Sequence, residues 1–169
     1  WIALAFVPSS LLLGVTTHIS TDIAATPLLW VIPLTLYLLT FVFVFARTPI
    51  LKHAWMVTAQ PFLMILVAVL LWTNMTFSLW YLLLVLVSFF VTSMVCHGEL
   101  VLRRPDAEGL TQFYLCLSFG GMLGGVFNAL IAPVLFDNVM EYPLVLALAC
   151  MLRPILSTED KTLILPDIL

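Results

Sequence analysis

The stretch that decides the fold runs from residue 97 to residue 136, where a charged segment leads into a long apolar one. The charged segment reads HGELVLRRPDAEG (97–109), and the apolar one reads LTQFYLCLSFGGMLGGVFNALIAPVLF (110–136). The apolar part has no charged residue and exceeds the roughly 20 residues that a helix needs to cross a bilayer. We therefore expect a membrane-spanning helix that begins at Leu110, with a polar loop before it.

The composition of the whole chain extends this interpretation. Of its 169 residues, 63% are hydrophobic and only 9% are charged, whereas soluble domains carry roughly a quarter of charged residues. The expected fold class is all-α, a polytopic helical membrane protein with about six transmembrane helices. The lipid bilayer is the expected partner. A net charge of -3 without a basic run does not favour a nucleic-acid partner.

Uncharged stretches predict where the spans lie. The expected spans are residues 1–17, 23–46, two within 54–96 that are separated at 73–76, 110–136 and 142–152. We expect Pro33 to kink the second span, because it removes a backbone hydrogen bond inside the predicted helix. Residues 1–156 are thus the predicted transmembrane domain, and we expect 157–169 to form a cytoplasmic linker toward a further domain absent from this chain.

Basic residues orient the predicted spans. They follow the second, fourth and sixth spans and are missing from the other loops; they are Arg47, Lys52, Arg103, Arg104 and Arg153. By the positive-inside rule, loops that carry such residues lie in the cytoplasm. We expect an integral protein of a bacterial inner or plasma membrane with a cytoplasmic C-terminus.

Glycines in the fifth span predict close helix packing. Gly120 and Gly124 form one GxxxG pair, Gly121 and Gly125 form another, and Asn128 extends the first row. Such pairs let helix backbones approach closely within a membrane, and they are equally compatible with a homo-oligomer. A glycine loop that cradles phosphate would need a strand before it. Since no strand is predicted there, we favour helix packing.

Polar residues near the end of the first span form a candidate cation site. If the helix continues, His18 and Asp22 share one face, and the predicted topology places Glu141 on the same side of the membrane. Ionisable residues at membrane depth are functional candidates. The alternative is that Asp22 caps the following helix while His18 contacts lipid headgroups.

A second polar group is expected in the cytoplasmic loop after the fourth span. It contains His97, Glu99, Arg103 and Arg104. We expect Gly98 to end the helix and Glu99 to pair with one of the two arginines. His97 and Glu99 lack the third nearby ligand that a metal site needs, so we expect no metal. The sequence also predicts no cofactor and no catalytic residue.

Several short motifs recur together in one known family. They are PSSLLLG (8–14), THISTDIAA (17–25), PLLWVIPL (27–34), HGEL (97–100), RP (104–105), LT (110–111), FYL (113–115), GG (120–121 and 124–125), FN (127–128) and AP (132–133). In this order they resemble the membrane part of spermidine-synthase-like proteins, which are also described as fused major-facilitator-like and spermidine synthase proteins.

The resemblance implies a membrane domain that anchors or feeds a cytosolic, Rossmann-like aminopropyltransferase domain acting on polyamines. This chain has neither a glycine-rich nucleoside loop nor an aspartate-rich polyamine site, so we expect no transfer reaction from it alone. Two alternatives remain. One is a transporter or permease fragment for a small solute, cationic or uncharged, that uses His18, Asp22 and Glu141; the other is a non-catalytic membrane scaffold.

Overall fold

The computed structural model describes residues 1–22, 28–46, 51–72, 79–136 and 141–152, and within them every regular element is helical. The helices are α1 Ile2–Asp22, α2 Val31–Val44, α3 His53–Trp72, α4 Leu79–Leu102, α5 Leu110–Val126, α6 Ala132–Leu135 and α7 Glu141–Met151. A 3₁₀ turn, Ala107–Gly109, precedes α5, and a π-helical segment, Phe127–Ile131, joins α5 to α6 in one rod. The predicted all-α class is confirmed.

Helix length separates these elements into two groups. Four helices are long and apolar enough to cross a membrane: Ile2–Ser20, His53–Leu71, Trp80–Leu102 and Ala107–Leu135. The α2 and α7 helices have 14 and 11 residues. At about 1.5 Å per residue, both are shorter than the roughly 30 Å of a hydrocarbon core. Four of the six predicted spans therefore reach membrane length in the described residues.

The centre of the bundle is formed by α1 and α4. The α1 helix packs against α2, α4, α5 and α7, and α4 also packs against α2 and α3. A row of buried apolar side chains on α1 recurs every three or four positions, as expected for one face of a helix; its members are Leu4, Val7, Leu11, Val15 and Ile19. From residue 91 to residue 100, α4 is buried on all sides. These two helices hold the others in place.

Contacts between helix ends show that the helices alternate in direction. His53, at the start of α3, contacts Glu99 near the end of α4, and the Trp1 indole donates to the Arg103 carbonyl. The ring of Tyr142, at the start of α7, stacks on His18 near the end of α1. We call the side with Trp1, Lys52, Arg103 and Arg104 the basic end, and the opposite side the far end.

Two expectations about helix ends are wrong. The α4 helix continues to Leu102, so His97 and Glu99 lie in a helix and not in a loop, and Gly98 does not end it. The α2 helix begins at Val31, which puts Pro33 in the first turn. Because the N–H groups of a first turn have no partner within the helix, Pro33 removes no helical bond there and the expected internal kink is absent.

Candidate functional site

The basic end contains a buried carboxylate with two basic partners. Glu99 is 5% exposed; its Oε1 lies 3.0 Å from His53 Nε2, and its Oε2 lies 3.0 Å from Arg103 Nη2. The expected pairing of Glu99 with one of the two arginines is therefore present, and its partner is Arg103; the Arg104 side chain is exposed. We call the side chains of Glu99, His53 and Arg103 the Glu99 cluster. Through the contact between His53 and Glu99, this cluster ties α3 to the last turns of α4.

Gly98 has a tertiary role in this cluster. A Cβ atom at this position would collide with the imidazole ring of His53. The missing side chain thus lets the start of α3 lie directly on α4, which brings His53 within reach of Glu99. The glycine that suggested a helix end is instead used for close approach within a helix.

His97 lies on another side of α4 and contacts α2. Thr40 Oγ1 donates its only hydrogen to the Tyr37 carbonyl at 2.6 Å, and it lies 2.8 Å from His97 Nδ1. With the Thr40 hydrogen on the Tyr37 carbonyl, Nδ1 carries the imidazole hydrogen and donates to Thr40, and Nε2 is an acceptor. Nε2 is buried without a hydrogen-bond partner among the described residues, and the Phe41 ring centroid lies 3.9 Å from that of His97.

The far end contains a histidine buried among tyrosines. His18 is 3% exposed, its Nε2 lies 2.6 Å from the Tyr81 hydroxyl, and its ring stacks on Tyr142 with centroids 5.6 Å apart. The alternative that His18 contacts headgroups is thus wrong. The side chains of Asp22 and Glu141 lie outside the described residues, so the cation site that joins them to His18 stays a prediction.

Among the described residues, only the Gly120–Gly124 row packs closely against another helix. A Cβ at Gly120 would collide with the Ile2 carbonyl oxygen, and one at Gly124 would lie 2.6 Å from the Phe6 carbonyl oxygen. By contrast, within the part of the chain that the structure describes, a Cβ at Gly121 would meet only Ser9 Oγ at 3.4 Å, and one at Gly125 would meet nothing within 4 Å. The close approach of α1 to α5 therefore depends on Gly120 and Gly124.

Asn128 extends the packed row, as its spacing suggested. Its side-chain amide donates to Ser10 Oγ in α1 and, at 3.2 Å, to the Gly124 carbonyl. Ala132, one turn further, is buried. Asn128 lies in the π-helical segment, which the sequence did not predict. A polar hydrogen bond thus continues the contact between α1 and the rod where the glycine pair ends.

Several residues of these clusters were not identified from the sequence. His53, Thr40 and Tyr81 lie 46, 57 and 63 positions from their partners, so no local spacing pattern connects them. The available signal was weaker: each is a polar or amphipathic residue at the edge of, or within, an apolar stretch, where polar groups need partners.

The geometry supports close helix packing and buried hydrogen bonding. Within the described ranges, no three side chains of His, Cys, Asp or Glu are placed to hold a metal ion.

No protein-family model matches this chain, and neither a curated protein nor a solved structure matches it.

Proposed function

We propose that this chain is the integral membrane domain of a spermidine-synthase-like protein, which anchors a cytosolic aminopropyltransferase-like domain or feeds it. The observation that carries the membrane part of the proposal is the apolar outer surface of α3 and of the α5–α6 rod. The motifs between residues 8 and 133 that resemble this family carry the rest.

The outer surface of the bundle is apolar over the length of two helices. On α3, the exposed side chains include Trp55, Phe62, Ile65, Leu66 and Val69, and on the rod they include Leu115, Phe119, Met122, Leu130 and Val134. Monomeric soluble proteins rarely expose apolar patches of more than a few hundred Å². In a lipid bilayer, apolar lipid tails surround these side chains, and the free-energy cost of exposing them to water is removed.

The distribution of cations supports a cytoplasmic basic end. Lys52, Arg103 and Arg104 lie at one end of the bundle, and the Lys52 ammonium lies 5.6 Å from the Trp55 ring centroid. A basic residue beside an aromatic ring is typical of the membrane–water interface. Positive residues collected at one end favour the cytoplasm on that side.

The direction of α7 supports a following domain on the same side. The helix starts beside His18 at the far end, and Cys150 in its last turn contacts Met64 in the middle of α3. At the end of α7, which lies level with the middle of α3, the chain therefore runs in the direction of the basic end. A soluble domain that follows on that side would lie in the cytoplasm, where aminopropyl transfer to polyamines takes place under this proposal.

Reading the full coding sequence past Leu169 tests the proposal. We expect a Rossmann-like domain with a glycine-rich strand–turn–helix, and we expect the purified full-length protein to transfer an aminopropyl group to a polyamine. A stop codon directly after Leu169, or further apolar spans, would contradict the proposal and favour a transporter or scaffold.

A further inference from the structure

The α3 helix buries a single stripe that contains one polar side chain. Its buried residues are Val57, Gln60, Met64 and Val67, which recur every three or four positions, and its other described side chains are exposed or half-buried. The stripe packs mainly against α4. Gln60 is 1% exposed, and neither its amide nitrogen nor its amide oxygen has a hydrogen-bond partner among the described residues.

The facing side of α4 contributes two further polar groups at a matching depth. Gln60 follows His53 by seven residues, and Thr92 precedes Glu99 by seven, which in each case is about two turns along the same helix face. Because His53 contacts Glu99 and the helices run antiparallel, Gln60 and Thr92 lie at the same level. Ser88 lies one turn deeper, and the hydroxyls of Thr92 and Ser88 are also buried without a described partner.

These groups form a polar seam inside an otherwise apolar contact. The Gln60 amide has two hydrogens to donate and an oxygen that accepts, and each hydroxyl can do both. Buried polar groups of this kind normally have protein or water partners. The lack of hydrogen-bond partners is most costly at the depth of the hydrocarbon core, where no bulk water can satisfy these groups. Two turns deeper, the same faces of α3 and α4 carry Val67 and Val85, both fully buried, so the seam ends there.

We propose that the seam between α3 and α4 is a hydrated binding site for a small uncharged solute that donates and accepts hydrogen bonds. The ligand class follows from the lining: Gln60, Thr92 and Ser88 are uncharged, and the nearby Glu99 carboxylate is already bonded to His53 and Arg103. This inference rests on the membrane location proposed above.

Thiol labelling in the full chain tests the site. Single cysteines replace Gln60, Thr92, Val67 or Val85 in a background in which Cys96, Cys116 and Cys150 are alanine, and Arg104→Cys serves as the accessible reference. Methanethiosulfonates react with the thiolate, which needs water, so we expect small, neutral methyl methanethiosulfonate to modify Gln60→Cys and Thr92→Cys about tenfold faster than the two valine variants. The trimethylammonium reagent is expected to modify Arg104→Cys but neither seam position.

Each outcome of this experiment bears on the proposal. Slow labelling of Gln60→Cys and Thr92→Cys, equal to that of the valine controls, would show a dry seam and overturn it. Rapid labelling by the cationic reagent would contradict the uncharged ligand class. Extraction of the chain from membranes by alkaline carbonate would instead refute the membrane location, so the two failures are distinguishable.

Discussion

Replacing Gly124 by leucine is expected to lower the free energy of unfolding by about 3 kcal/mol, because the new side chain has no space between α5 and α1. A Cβ at this position would lie 2.6 Å from the Phe6 carbonyl oxygen and 2.9 Å from the Ser10 amide nitrogen. Both are backbone atoms of a helix, which cannot rotate away as a side chain would. The measurement is unfolding of the purified chain in mixed micelles titrated with SDS, followed by circular dichroism.

The matched control is the same substitution one residue further along the helix. A Cβ at Gly125 would meet no atom of the described residues within 4 Å, so Gly125→Leu is expected to change the free energy of unfolding by less than about 0.5 kcal/mol. Equal destabilisation by the two variants would mean that leucine harms the helix wherever it is placed. It would contradict the assignment of the contact with α1 to the Gly120–Gly124 row.

Removing both basic partners of Glu99 is expected to destabilise the chain more than replacing all three side chains by apolar ones. The double variant His53→Leu with Arg103→Leu leaves a carboxylate that is 5% exposed without a counter-charge, at an expected cost of about 2–3 kcal/mol. Adding Glu99→Met removes that charge and keeps the volume. The triple variant is therefore expected to recover most of the loss in the same SDS titration.

The single variants define how the cost is divided. Arg103 is half-exposed and His53 is only partly exposed, so each partner can be lost while the other still pairs with Glu99, and each single variant should cost less than the double one. A triple variant that is less stable than the double variant would show that Glu99 contributes through contacts other than charge pairing. That result would contradict the role given to the Glu99 cluster.

The sequence predicted those features that depend on composition and on spacing along one helix. Charge-free length predicted the helices, the four-residue interval predicted the packed glycines, and the alignment of Asn128 with Gly120 and Gly124 predicted that it would need a partner. The pairing of Glu99 with one of the two arginines was expected within a loop, whereas the structure forms it with Arg103, four residues further along the same helix.

Features that depend on contacts between distant segments could not be predicted in this way. Gly98 was interpreted as a helix end because glycine is common there, but α4 continues past it and the missing side chain accommodates His53. The two glycine rows are identical in spacing, and only the position of α1 distinguishes them. The partners of His18 lie on α4 and α7, far from it in the sequence.

The measurement that tests the account most directly is the sidedness of two single cysteines in intact spheroplasts. Leu28 is exposed before α2 at the far end, and Arg104 is exposed at the basic end. With a membrane-impermeant maleimide, we expect Leu28→Cys to be labelled at once and Arg104→Cys only after permeabilisation. Labelling of Arg104→Cys alone in intact spheroplasts would show that the topology is the reverse of the expected one. Immediate labelling of both cysteine variants would contradict a chain that spans the membrane.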